Sequence, residues 1–186
     1  LDYTPNTVAK QLRTPKTNQM GVLVSRITNP FFAQLIDGIE RLLHKYGYSV
    51  MVMQTYDDPE VEQHFLGMLD SHEVDAIMLA SIEKADQIIK TAKKYPGKVI
   101  LVNEDIPELR PNSIILDHYD AVKTGLRYLF NKGYKRISYV TCGSFTSSDH
   151  GSTRTQAFLD FMQEHNLTIK ADWTFEGYHT IDDGFK

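Results

Sequence analysis

The sequence predicts an α/β fold built on a doubly wound parallel sheet. Three observations carry this. Short apolar runs recur along the chain, they are near-continuous rather than alternating, and most are followed by a turn and a helical pattern. Near-continuous apolar strands are those buried on both faces, and successive parallel strands need helical crossovers.

The apolar runs are Met20–Val24, Ser49–Met53, Ala76–Leu79, Val99–Val102, Ile114–Leu116 and Ile137–Val140. Between the first two, Asn29 suits an N-cap, Pro30 suits the first helical position, and Phe31, Leu35, Ile39, Leu42 and Tyr46 form an apolar stripe, with Phe32, Ile36 and Leu43 alongside. Gly47 stops that helix. The second helix opens the same way, with Asp58 as cap, Pro59 next, and Val61, Phe65, Met68 and Leu69 as the stripe. A third spans residues 84–95 and ends before Pro96. A fourth spans 118–131 and stops at Gly133, and a fifth spans 153–165. The connection 103–112 contains two prolines and no helical pattern, and the stretch 142–152, rich in Ser, Thr and Gly, reads as a mobile loop over a cleft.

With 186 residues the chain can build one good core or two small ones, and its 41% hydrophobic content is that of a soluble globular protein. No apolar run approaches the roughly 20 residues that span a bilayer. No signal peptide is visible, but the chain begins without Met and reads as part of a longer one. A single cysteine, Cys142, excludes an internal disulfide and fits a reducing compartment. The net charge of -4 argues against nonspecific nucleic-acid binding by the body, whereas the first twenty residues carry Lys10, Arg13 and Lys16 against Asp2 alone.

In open α/β sheets ligands sit beyond the carboxyl ends of the strands. The turn 25–30 is such a place. A Phe31 or Phe32 ring at its mouth can cover the flat face of a sugar or nucleobase, with Asn29 supplying hydrogen bonds; the plainer reading makes both rings core and Asn29 a cap. Arg154, near the start of the fifth helix, can grip a hydroxyl pair or a carboxylate with two parallel hydrogen bonds, or else be a surface arginine. Asn103 and Glu104 follow the fourth strand and Asp117 the fifth, at the edge expected to carry Asn29; singly each reads as a cap or turn residue, together as a polar pocket. The seven histidines show no HxxxH or HxH spacing, so no metal is expected, and no GxGxxG, GK[ST] or GxSxG motif points to a cofactor or catalytic nucleophile. At the start, Thr4–Pro5–Asn6 can lead a short helix to about Leu12. Ala9 and Leu12 would share a face, Lys10 and Arg13 would touch phosphates, and Leu12 would wedge between base steps of a minor groove. The alternative is a tail without structure of its own.

LDYTPNTVAKQLRTPKTNQMGVLV resembles the hinge region of LacI/GalR-family bacterial transcription repressors running into their effector domain. ITNPFFAQLIDGIE, GYSVMVMQTYDDPEVE and EVDAIMLAS resemble that family's first three strand–helix units. KVILVNEDIP, SIILDHYDAVKTGLRYLFNKGYKRISYVT and GSTRTQAFLDFMQEHN continue the match, so it covers essentially the whole chain. The resemblance implies a type I periplasmic-binding-protein-like architecture of two α/β lobes, with effector held between them and a dimeric body. It assigns residues 1–17 to the hinge after a missing helix-turn-helix, 18–117 to the first lobe, and 118–186 to the first part of an incomplete second lobe. By position, Asn29, Phe31, Phe32 and Arg154 match effector-contacting residues. Leu12 matches the hinge leucine that enters the minor groove, with Asn6, Ala9, Lys10 and Arg13 around it. Asn103 and Glu104 stand where many sugar binders of the family have Asp-Arg, a departure that leaves effector identity open.

The function implied is a cytoplasmic, non-enzymatic repressor without cofactor. It would bind operator DNA as a homodimer under control of a small effector of the sugar class, without contact to a membrane. The alternative is an extracytoplasmic solute-binding protein of the ribose type, which shares the lobes and the NPFF turn. An enzyme on a related fold ranks third, since no nucleophile–base or metal set is visible.

Overall fold

The computed structural model describes residues 16–142 and 152–177. The hinge residues Asn6, Ala9, Lys10, Leu12 and Arg13, and the interior of the expected loop, lie outside them. The chain forms two compact units divided between Ile115 and Leu116.

The first unit is a five-stranded parallel sheet: β1 (Gln19–Val24), β2 (Ser49–Gln54), β3 (Ala76–Leu79), β4 (Val99–Val102) and β5 (Ser113–Ile114), in the order β2-β1-β3-β4-β5. The order in which the chain adds strands reverses between β1 and β3, the switch point of a doubly wound sheet. Helix α1 (Pro30–Lys45) joins β1 to β2. Helix α2 (Pro59–Leu66), extended by a single 3-10 turn at Gly67–Leu69, joins β2 to β3, and α3 (Ala85–Lys94) joins β3 to β4.

Alternate strand residues go to two cores. Leu23, Ile77, Leu79, Val99 and Leu101 pack with Leu66, Leu69, Ile88 and Ala92 of the α2/α3 layer. Val22, Val24, Ala80 and Val102 pack with Phe32 and Ile36 of α1 on the other side. This two-sided burial is why the strands read as unbroken apolar runs. Gly47, at a φ of 75°, ends α1: its N–H donates to the His44 carbonyl and that of Tyr48 to Leu43, a turn in which a Cβ would be strained.

The second unit contains α4 (His118–Asn131), β6 (Tyr139–Cys142), α5 (Ser152–Glu164) and β7 (Thr174–Gly177), with β6 and β7 paired in parallel. Its core is Leu126, Ile137, Phe158, Phe161 and Met162. Lys123 bridges α4 to Glu164 of α5 at 2.6 Å, and the Tyr119 hydroxyl donates to Asp160 at 2.6 Å.

Several expected boundaries move. The sixth strand pairs at 139–142, not 137–140, because Ile137 is drawn into the helix-side core while the ladder to β7 starts at Tyr139. The fifth pairs only through Ser113 and Ile114, and Ile115 and Leu116 are exposed where one unit gives way to the other. The connection expected to lack helix contains a 3-10 segment, Pro107–Asn112, opened by Pro107 and tolerant of Pro111. Strand β7 has no counterpart in the apolar-run reading, because its residues Thr-Phe-Glu-Gly carry one large apolar side chain.

Candidate functional site: the carboxyl edge of the sheet

Parallel strands feeding helices place every helix start at one edge, and with it the unbonded N–H groups of each first turn. Asn29 caps α1, its Oδ1 accepting the Phe31 N–H at 3.0 Å, and Asp58 caps α2 through the Glu60 N–H at 2.8 Å. The two phenylalanines divide their roles. Phe32 is buried beside Val22, Val24 and Ile36, whereas Phe31 stands 43% exposed, edge-to-face on Phe32 with ring centroids 5.3 Å apart. Phe31 is therefore the ring with a face to offer.

Asn103 closes β4 in the left-handed region, at a φ of 65°, with its N–H donating to the Ile114 carbonyl at 2.7 Å. Glu104 follows it, half-buried. Beyond them Asp105 accepts a two-pronged grip from Arg110, at 2.9 and 2.8 Å, which holds the start of this connection and lowers the Asp105 pKa.

The β1–α1 and β2–α2 turns are tied together. The Ile27 N–H donates to Gln54 Oε1 at 2.9 Å, Gln54 Nε2 donates to the Tyr56 hydroxyl at 3.1 Å, and the Arg26 guanidinium lies 5.6 Å from the Tyr56 ring centre. Tyr56 and Asp57 are successive left-handed residues, at φ 55° and 64°. Side chains with a Cβ rarely adopt this conformation, and such residues gather where a loop must hold a set shape.

Glu62 escaped the sequence reading. It has no exposed surface, yet it is an acid in the first turn of α2. Its carboxylate accepts the Glu83 N–H at 2.7 Å and the Lys84 N–H at 3.1 Å, so it holds the loop that follows β3 beside the switch point. Burial pushes its pKa above the ordinary carboxylate range, against the pull of those two bonds. The signal was available in the spacing: Glu62 shares the stripe of Phe65, Leu66 and Leu69, the face that α2 buries.

In the second unit Asp117 caps α4 by accepting the Asp120 N–H at 2.9 Å. Arg154 is exposed in the first turn of α5. It acts on His118, whose pKa is lowered first by burial and then by the Arg154 charge, with Asp117 opposing. Asp117, His118 and Arg154 thus form one electrostatic neighbourhood at two helix starts. Among the described residues no group of three or more His, Cys, Asp or Glu is placed to hold a metal ion, and no helix is long and apolar enough to cross a membrane.

Residues 17–186 match the family described as periplasmic binding proteins and sugar binding domain of LacI family. The chain belongs to this family. The LacI-family domain has curated relatives along its whole length. It is 34% identical over 186 residues to the NTD biosynthesis operon regulator NtdR of Bacillus subtilis, covering 100% of this chain and 56% of the relative. It is 28% identical to the transcriptional repressor PurR of Pasteurella multocida, covering 100% of this chain and 55% of that protein. The chain thus spans about half the length of the curated relatives it matches. Among solved structures, a LacI-family transcriptional regulator from Lactobacillus casei with bound glucose is 50% identical, with a TM-score of 0.82 over 89% of this chain and 62% of that one. The same regulator with bound sucrose gives the same TM-score over 60% of its chain.

Proposed function

We propose that the intact protein is a sequence-specific DNA-binding transcription repressor whose operator affinity is set by a small effector of the sugar class. The observation that carries this reading is the carboxyl edge: an exposed Phe31 ring, the Asn29 amide beside it, and Asn103 and Glu104 following β4. An aromatic face flanked by polar groups is the ordinary chemistry of sugar recognition, an apolar ring face covered and hydroxyls bonded at its rim. A relative at half identity was crystallised with glucose and with sucrose, which supports the same ligand class here. Arg154 and Asp117 of the second unit are proposed as further effector contacts. Asn6, Ala9, Lys10, Leu12 and Arg13 are proposed as the operator-touching hinge of a cytoplasmic homodimer. The relatives' names favour a regulator over a solute-binding protein.

The effector acts by binding two arrangements of the protein unequally, and so biases operator affinity by that difference. The test is fluorescence anisotropy of the full-length protein with a palindromic duplex selected from a random pool, with and without glucose or sucrose. Sequence-specific binding that shifts with sugar is expected. An absence of specific binding in every condition overturns the reading.

A further inference from the structure

Asp75 lies at the opposite, amino edge of the sheet, just before β3, and the effector reading does not use it. Its Oδ1 accepts both the backbone N–H of Thr17, at 2.8 Å, and the Thr17 hydroxyl, at 2.9 Å. Its Oδ2 accepts the Asn18 N–H at 2.9 Å. Its own N–H donates to the Gln19 carbonyl at 2.8 Å. Asn18 is in the left-handed region at a φ of 54°, and its carbonyl accepts the Ser49 N–H at 2.8 Å. Thr17 Oγ1 also accepts from the Gln19 N–H at 3.1 Å. The Lys16 ammonium lies 4.9 Å from the centre of the Tyr48 ring.

Strand β1 does not need these bonds to stay in the sheet. It is the second strand in the order, paired with β2 over six positions and with β3 over four. What the Asp75 carboxylate adds lies outside the ladder. Three donors converge on one carboxylate 57 and 58 residues away in sequence, and a left-handed residue sets a single bend. Charge-assisted hydrogen bonds of this kind are short and directional, so they fix an orientation as well as a contact. They fix the direction in which the chain passes from residues 16–18 into the sheet.

We propose that Asp75 is a positioning residue for operator binding: it clamps Thr17 and Asn18 to the amino edge, so that a displacement of the sheet is passed to the segment that precedes them. This rests on the repressor reading above. Without the clamp the two parts are joined by a swivel, and an effector-linked shift in the sheet is dissipated there. A bend held by the carboxylate gives the sheet and the preceding segment one shared element that both sites can bias.

The experiment compares full-length wild type with Asp75→Ala and Asp75→Asn. Hydrogen exchange reads the clamp directly. In Asp75→Ala the amides of Thr17 and Asn18 are expected to exchange about tenfold faster or more, while those of Val22–Val24 are unchanged. Anisotropy reads the consequence. Operator affinity of Asp75→Ala should fall about tenfold, and its change on adding glucose or sucrose should shrink towards none, with sugar affinity within about twofold of wild type. Asp75→Asn keeps one carboxamide oxygen and should recover part of both. Unchanged exchange overturns the clamp. Unchanged operator affinity and sugar response overturn its role in coupling, as does a parallel loss of operator affinity, sugar affinity and Tm, which marks a merely structural residue. A wild type that binds no duplex overturns the repressor reading, and with it the coupling role; the exchange result then still decides whether Asp75 holds Thr17 and Asn18.

Discussion

At the carboxyl edge of the five-stranded sheet, Asn29 and Asp58 receive amide protons from helix starts, and Glu60, Glu62 and Asp86 sit in first turns. At the amino edge, His44, Lys45, Lys93 and Lys94 occupy last turns, Gly47 reverses the chain, and Asp75 holds the entering backbone. The same helices make both edges, and chain direction makes them differ. Each strand delivers its helix start to one side, so the partly positive ends and spare N–H donors collect there, where a polar ligand finds partners. The other edge collects carbonyls, basic side chains and connections. On the function proposed above, one edge recognises the effector and the other transmits.

The largest effect that can break this comparison lies within the carboxyl edge itself. Phe32→Ala should cost about 3–5 kcal/mol of folding stability in urea titration, because it empties a core position under α1. Phe31→Ala should leave stability within about 1 kcal/mol and weaken sugar binding instead. Equal losses from the two variants would erase the division between core ring and ligand ring.

Glu62→Ala comes next. It leaves the Glu83 and Lys84 N–H groups without their acceptor and should cost on the order of 2–3 kcal/mol. Its pH dependence has a definite sign. A carboxyl whose folded pKa is raised favours the folded state when protonated; that contribution is complete below the ordinary carboxylate range and is lost as pH rises through the raised value. The stability of Glu62→Gln relative to wild type should therefore improve as pH climbs out of the acidic range. A flat or opposite trend in calorimetric melts would show that the two N–H bonds outweigh burial.

Arg154 carries the comparison into the second unit. A cation in the first turn of α5 opposes the helix dipole, so this residue is badly placed for stability. Arg154→Ala should leave Tm unchanged or slightly higher while weakening sugar binding by about 1.5–3 kcal/mol in titration calorimetry. Unchanged affinity would return it to the surface. The smallest effect is expected at Asn29→Ala. Loss of the cap should cost about 1 kcal/mol, with a measurable fall in sugar affinity and an unaltered operator affinity of the sugar-free protein. The contrast with Asp75→Ala, which should spare sugar and alter operator binding, is the sharpest separation of the two edges.

Much of this was legible beforehand because it is local. Asn29-Pro30 and Asp58-Pro59 announce helix starts, Gly47 announces a stop, and unbroken apolar runs announce strands covered on both sides. Asn29 could be seen both as a cap and as a pocket residue, and its geometry shows the first role while leaving its amide nitrogen for the second. Other features depended on what was packed where. Periodicity placed Phe31 and Phe32 at the same helix start; only the position of α1 over Val22 and Val24 decided which ring is covered. Glu62 looks like a solvated acid until its stripe is laid against the sheet. Nothing local singles out His118 among the histidines; burial and the Arg154 charge act on it only in the fold. Strand β7 needed β6 beside it to be a strand at all.

By itself, then, the sequence determined the alternation of β1 to β4 with α1 to α3, the caps Asn29 and Asp58, the stop at Gly47, and the parallel direction that puts the helix starts of the first sheet on one edge, since these follow from periodicity and backbone sterics within a few residues. Only the tertiary structure decided which of two adjacent rings is free, which acid is buried, and that Asp75 reaches back 58 residues to Thr17. Those outcomes depend on contacts between segments far apart in the chain, and no local pattern encodes the distance between them.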